Sequence, residues 1–251
     1  MQAQHHDFDK MIKPVAVFKS PYGSKFGIPR QSGLTEAVTG RIVFLPPYND
    51  PNAIRGIADF DYLWLIWGFS ANEPQPSATR DADNNNETAK ASTDETDSRN
   101  LHLTVRPPRL GGNERVGVFA SRSPFRPNGL GLSSVRILGE DNGEIIVAGA
   151  DLMNGTPIYD IKPYLPYVDA HPDAKAGFTD KRKWDTLEVS IPDDISEKLT
   201  DKQTRELQQI LSLDPRPHYH HDSNRIYGMT YAGHNVRFKV EGNLLTIVEI
   251  I

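Results

Sequence analysis

The sequence predicts a mainly β protein: an N-terminal antiparallel β-barrel or sandwich, then a small α+β domain. Three observations predict it. Short alternating or apolar runs separated by turn residues fill the first 150 positions, the pattern of antiparallel sheets. The strand–helix alternation of a doubly wound fold is missing. The last 66 positions combine one strand-like run, an amphipathic helical region and two closing strand-like runs around a turn.

Taken in order, Pro14–Lys19 and Thr39–Leu45 alternate as half-buried strands do. Tyr62–Phe69 (YLWLIWGF) is apolar throughout and predicts a strand buried on both faces. Residues 71–100 contain no large apolar side chain. Such a segment cannot bury enough surface to offset its ordering entropy, and an exposed, mobile insertion is expected. Val116–Ala120 reads as a short buried strand. Ser134–Gly139 and Glu144–Ala150 flank Asp141-Asn142-Gly143, a hairpin signal because Asn-Gly accepts positive φ twice. A boundary is expected across 169–184, dividing the chain into 1–168 and 185–251. Beyond it, Thr186–Ile191 predicts a strand. Ile195, Leu199, Leu207, Ile210 and Leu211 mark one helical face. Thr200 and Gln203 fit a capping box, so two short helices are expected. Val236–Val240 and Leu244–Ile250 close the chain around Glu241-Gly242-Asn243.

Composition narrows the chemistry. The chain has 251 residues and no cysteine, which excludes disulfides, thiolate metal sites and cysteine nucleophiles. No apolar run is long enough to span a membrane and no secretory leader is visible, so a cytoplasmic protein is expected. The formal charge is −5. Yet residues 101–137 hold six arginines (106, 109, 115, 122, 126 and 136) against one acid, Glu114. A basic segment in an acidic protein points to an anionic partner at that segment.

Three loops carry candidate chemistry. The first is Phe26–Gly33. The second follows Val116–Ala120: Arg122, Arg126 and Asn128 sit among Pro124, Pro127, Gly129 and Gly131. A proline-stiffened loop presenting guanidinium forks suits phosphate or carboxylate. The third is Asp151–Pro166, where Asn154-Gly155-Thr156-Pro157 makes a tight turn. Asp160, Lys162 and Tyr164 then alternate along an extended segment, on one face of it. A carboxylate, an ammonium and a phenol side by side fit an active-site wall, and fit equally a charged edge strand protected against pairing. His218, His220 and His221 lack a further ligand set for a metal; contact with RNA or a partner is the expected role, and no metal is expected. Trp64 and Trp67 read as core. Neither a phosphate-binding Walker loop nor a Gly-x-Gly-x-x-Gly turn is present, so a nucleotide-like cofactor would have to bind irregular loops between strands.

The motifs Pro29-Arg-Gln31, Val105-Arg-Pro-Pro-Arg-Leu-Gly-Gly112, Gly117–Asn128, Asp160-Ile-Lys-Pro-Tyr-Leu-Pro166 and Asp214-Pro-Arg-Pro217, in this order, resemble the TrmO (TsaA/YaeB-like) family. The resemblance runs nearly end to end, apart from 71–100. It implies a β-barrel N-terminal domain, a small C-terminal domain and a homodimer with S-adenosylmethionine near the subunit interface. It implies methylation of N6 of threonylcarbamoyladenosine at tRNA position 37. It also assigns the cofactor to Gln31, Ser32, Gly33, Ser70, Ala71, Arg122, Leu132, Asn154, Gly155, Thr156 and Pro157. Two positions depart from the family's usual residues: Ser70 where His is frequent, and Asn154 where Asp is frequent.

Within that chemistry Asp160 is the first candidate for a base, or for orienting one, and Tyr164 the second. Lys162 is a candidate for stabilising charge on the carbamoyl oxygen. Arg109, Arg126, Asn128 and Arg216 are candidates for contacting RNA or the substrate's carboxylate, and Arg122 is a further one. The alternatives are a non-catalytic RNA-binding barrel and a methyltransferase with another acceptor.

Overall fold

The computed structural model describes residues 11–69, 103–107, 110, 114–180, 186–216 and 222–251. Six strands close into an antiparallel barrel: β1 (Ala16–Lys19), β2 (Thr39–Phe44), β3 (Tyr62–Gly68), β6 (Leu130–Asp141), β7 (Glu144–Ala148) and β8 (Thr156–Pro163). Their order around the barrel is β1-β2-β7-β6-β3-β8. Closure leaves no unpaired edge. β4 (Thr104–Val105) and β5 (Val116–Gly117) pair with each other between β3 and β6.

Alternation decides what fills the barrel. Phe18, Ile42, Leu63, Leu65, Trp67, Val135, Ile145, Val147 and Ile158 point inward and form one core. β3 corrects the expectation of burial on both faces. Its inward residues are buried, while Tyr62 is exposed and Trp64 and Ile66 are half-buried on the outer wall. A barrel has a single interior, so the second apolar face of this run serves the outside, where Trp64 and Tyr62 pack against the Tyr164 ring.

Two more expectations change. Val116–Ala120 is not one strand: β5 stops at Gly117 and Val118–Ala120 forms a 3₁₀ turn. Val118 is buried and its N–H meets the Leu103 carbonyl, while Phe119 turns out to solvent. The run is apolar to anchor that turn, not to extend a sheet. β6 starts four residues earlier than its sequence suggests, because Gly131 lies inside the strand. The Trp67 indole lies across it; a Cβ there would stand 2.3 Å from Trp67 Cε2. Gly131→Ala is therefore expected to destabilise the protein by about 1–3 kcal/mol through overpacking, measurable by denaturant unfolding. The β6–β7 hairpin turns at Asn142-Gly143, both at positive φ, as its sequence predicts.

The C-terminal part is a four-stranded sheet ordered β10-β11-β12-β9, built from β9 (Glu188–Ser190), β10 (Tyr227–Tyr231), β11 (His234–Glu241) and β12 (Leu244–Ile250). β9 runs parallel to β12. β10 has no counterpart in the sequence pattern, although Tyr227, Met229 and Tyr231 alternate inward. Gly228 and the brevity of the run mask it. After the short helix α1 (Pro166–Asp169), helices α2 (Asp193–Ser196) and α3 (Asp201–Ser212) follow, and α3 opens on the Thr200–Gln203 capping box. α3 packs Leu207, Ile210 and Leu211 onto the sheet.

The two parts are joined by more than the chain. The β1–β2 connection contributes Tyr22 and Val38 to the C-terminal core, with Phe26 and Ile28 against it. Ala232 N–H donates to the Pro21 carbonyl at 2.8 Å, Ala37 N–H to Gln209 Oε1 at 2.9 Å and Lys202 Nζ to Thr39 Oγ1 at 3.0 Å. The first candidate loop is thus seated on the C-terminal domain.

Candidate functional site

Antiparallel topology sends the β1–β2, β3–β6 and β7–β8 connections to one end of the barrel, and these carry the three candidate loops. Gly33 N–H donates to the Gly149 carbonyl at 2.8 Å and Gly149 N–H to Val38 O at 3.2 Å. Asn154 N–H donates to Tyr22 O at 2.9 Å and Gly155 N–H to Phe18 O at 2.8 Å. The β1–β2 and β7–β8 connections, which carry the first and third loops, are zipped together by main chain. The second joins them through Arg122, whose guanidinium donates to Gln31 Oε1 at 2.6 Å.

At this mouth Gly33 and Gly155 adopt positive φ, and a Cβ on either would meet nothing within 4 Å. The main chain is open to an approaching ligand. Asn154 Oδ1 accepts the Ser20 N–H at 3.1 Å. That is an acceptor's task, which an amide oxygen performs as an aspartate would, so the departure at 154 leaves the loop closure intact. Thr156 is buried and its hydroxyl is engaged by the Met153 carbonyl at 2.7 Å; Pro157 lies opposite Val17 of β1.

Asp151, given no role from sequence, lies between these loops. Its Oδ1 accepts the Ser133 hydroxyl at 2.6 Å, and Ser133 Oγ accepts the Trp67 indole N–H at 2.9 Å. The charge of Arg122 and the Ser32 main chain also favour the charged form of this carboxylate. Burial outweighs these and pushes the Asp151 carboxyl above its ordinary range. Its position at the head of the third loop was the available signal. Trp67 lies in the core, as its sequence predicts, and its N–H reaches the mouth.

The other candidates lie elsewhere. Leu132 sits on the outer wall of β6, 56% exposed. It is opposite Ile66 of β3, which in turn is opposite Asp160 of β8. Two strand spacings separate Leu132 from Asp160, about 10 Å. Lys162 lies beside Asp160, Nζ to Oδ2 2.9 Å, both side chains substantially exposed. Tyr164 falls just beyond the end of β8 and is packed on Trp64 and Tyr62. Within one chain these three occupy the outer wall below the mouth, not the mouth.

Arg126 donates to the Ser121 carbonyl at 2.6 Å and lies 5.8 Å from the Phe119 ring centre, bracing its own loop. Asn128 is exposed beside Gly129. Arg216 forms a two-point pair with Asp214 at 2.8 and 2.9 Å, which raises its pKa further. Its carbonyl accepts Arg30 at 3.4 Å; as placed, it supports the first loop. Ser70, Ala71, Arg109, the insertion at 71–100 and His218, His220 and His221 lie outside the described residues. Among the described residues no group of three His, Asp or Glu is arranged to hold a metal, and no helix is long and apolar enough to cross a membrane.

Comparison with known proteins agrees with this architecture. The tRNA-methyltransferase O N-terminal domain family matches residues 17–170, and the TrmO C-terminal domain family matches 185–251. The tRNA (adenine(37)-N6)-methyltransferase of Escherichia coli K12 is 33% identical over 241 residues, covering 91% of this chain and 92% of that protein. A protein of the same name from Eikenella corrodens is 46% identical over 151 residues, 59% of this chain and 85% of that one. A Pseudomonas aeruginosa relative, 34% identical over 87% of both chains, carries a provisional name as an S-adenosylmethionine-dependent methyltransferase. A crystal structure of TrmO superposes with a TM-score of 0.73 at 27% identity, covering 97% of this chain and 99% of that one. With both family domains matched in order across the barrel and the C-terminal sheet, this chain belongs to the TrmO family of tRNA methyltransferases.

Proposed function

We propose that this protein transfers a methyl group from S-adenosylmethionine to N6 of threonylcarbamoyladenosine at position 37 of tRNA, in the cytoplasm. The observation that carries this reading is the convergence of three loops on one barrel mouth, joined by the Arg122–Gln31 hydrogen bond. The residues present fit such a donor. The open main chain of Gly33 and Gly155 admits close approach, and the exposed Arg122 fork matches a carboxylate. Gln31, Ser32 and Gly33 hold one side of the donor and Asn154-Gly155-Thr156-Pro157 the other, with Leu132 an apolar contact from the outer wall; Ser70 and Ala71 belong to the same assignment. When bound, the donor supplies a methyl on a sulfonium, already attached to a good leaving group.

The protein's task is then to place N6 in line with that methyl and to relieve it of a proton. Asp160 is the proposed proton acceptor, with Tyr164 as the second candidate, and Lys162 faces the carbamoyl oxygen. Their place on the outer wall suits a homodimer in which this wall of one chain faces the mouth of its partner. Arg126 and Asn128 flank the approach of the anticodon loop and Arg109 is assigned to the same contact by its motif, with Arg216 steadying the first loop.

Mass spectrometry of tRNA nucleosides tests the acceptor. A strain lacking the gene is expected to lose N6-methylated threonylcarbamoyladenosine and regain it on complementation. An unchanged nucleoside profile refutes the acceptor. Absence of calorimetric heat with S-adenosylmethionine refutes the donor.

A further inference from the structure

We propose that Asp151 is a positioning residue of the donor pocket, its carboxylate holding the Gln31–Gly33 loop, the Arg122 loop and the barrel mouth in one ligand-ready arrangement. The inference rests on the donor reading above and deepens it by naming what organises that site.

The direction of each hydrogen bond supports it. An indole N–H can only donate, so Trp67 occupies a lone pair of Ser133 and obliges the hydroxyl proton to point elsewhere. It points at Asp151 Oδ1, 2.6 Å away. Ser133 and Trp67 are buried in the mouth, so this chain is fixed to the barrel core and ends at a carboxylate. The charge of Arg122 and the Ser32 main chain both favour the charged form of that carboxylate. Two residues before it, the Gly149 carbonyl takes the Gly33 N–H. One side chain is therefore hydrogen-bonded to the barrel floor and lies within electrostatic reach of both neighbouring loops. Arg122 in turn holds Gln31, so the influence of Asp151 reaches Ser32, Arg122 and Gln31, three of the residues assigned to the donor.

A neutral acceptor would satisfy Ser133 equally well. Burial works against the charged form here and outweighs the Ser133 hydrogen bond and the smaller effect of Arg122, so the stability this carboxyl contributes is lost as pH rises through its folded pKa. Folding alone gives no reason for a charge at this point; orienting a guanidinium for an anionic ligand does.

Asp151→Asn separates the roles, since the amide oxygen still accepts from Ser133 while the charge is gone. The thermal midpoint is expected to stay level or rise. Affinity for S-adenosylmethionine by calorimetry is expected to fall about tenfold, as for loss of a charge-assisted contact. The donor KM rises by a similar factor, with kcat at saturating donor nearly retained. Without donor, amide exchange in segments 31–33 and 121–123 is expected to quicken. Arg122→Ala and Asp151→Asn combined are expected to lose less than the sum of their separate effects. Donor affinity unchanged in Asp151→Asn, or a fall in thermal midpoint that tracks the affinity loss, overturns the proposal. If the unaltered protein itself binds no S-adenosylmethionine, the donor reading fails instead. The exchange rates of the ligand-free loops then decide the positioning role by themselves: quickened exchange sustains it and unchanged exchange ends it.

Discussion

Arg122→Ala is expected to lower kcat/KM for methyl transfer by roughly 10- to 100-fold, the factor matching about 1.5–3 kcal/mol for one lost charge-assisted hydrogen bond. Two losses contribute. The guanidinium is the cationic fork facing the mouth, and it also holds Gln31 Oε1 at 2.6 Å. Its removal also takes away one of the groups that, after the Ser133 hydrogen bond, favour the charged form of Asp151. Most of the loss is expected in the donor KM. Arg122→Lys is expected to recover only part of it, because an ammonium lacks the planar pair of donors that reaches Gln31 and a ligand carboxylate together. Steady-state kinetics with donor varied at saturating tRNA reads this directly. A donor KM within twofold of the unaltered protein would remove Arg122 from the pocket.

The second large effect lies far from the mouth. Phe238→Ala is expected to destabilise the protein by about 3–5 kcal/mol, a large share of the roughly 5–15 kcal/mol that holds a domain together. Phe238 is fully buried in the C-terminal core. Its ring lies 5.5 Å from that of Tyr227 and 6.3 Å from that of Phe26. Phe26 belongs to the first donor loop, five residues before Gln31. A void at 238 therefore loosens the seat of that loop as well as the sheet. The thermal midpoint is expected to drop sharply, and donor affinity is expected to weaken even at temperatures where the variant is folded. Full donor affinity in the folded variant would show that the C-terminal core and the mouth are independent.

Much of the architecture was legible in the chain because strands and turns announce themselves locally. Asn142-Gly143 turns where its tolerance of positive φ demands, and Thr200 with Gln203 caps α3 through groups three residues apart. The misread elements share a cause. Gly131 looks like loop until Trp67, brought alongside from β3, is seen lying across it. Val116–Ala120 looks like strand until its buried valine is seen anchoring a turn. Local pattern records a residue's preference but not the neighbour that tertiary packing supplies.

The site divides in the same way. Sequence alone established a barrel-type β protein with a small α+β partner, three chemically loaded loops and the family motifs within them, because turn residues, alternation and motif spacing act over a few positions. Only the tertiary structure decided that the three loops share one mouth, that Asp151 sits among them, and that Asp160 and Lys162 stand outside on the barrel wall. Those relations join residues far apart in the chain, such as Gln31 and Arg122, 91 positions apart, and closure of the strands sets them. The same closure sends alternate side chains of β6 to opposite faces, so Ser133 enters the mouth while its neighbour Leu132 looks outward.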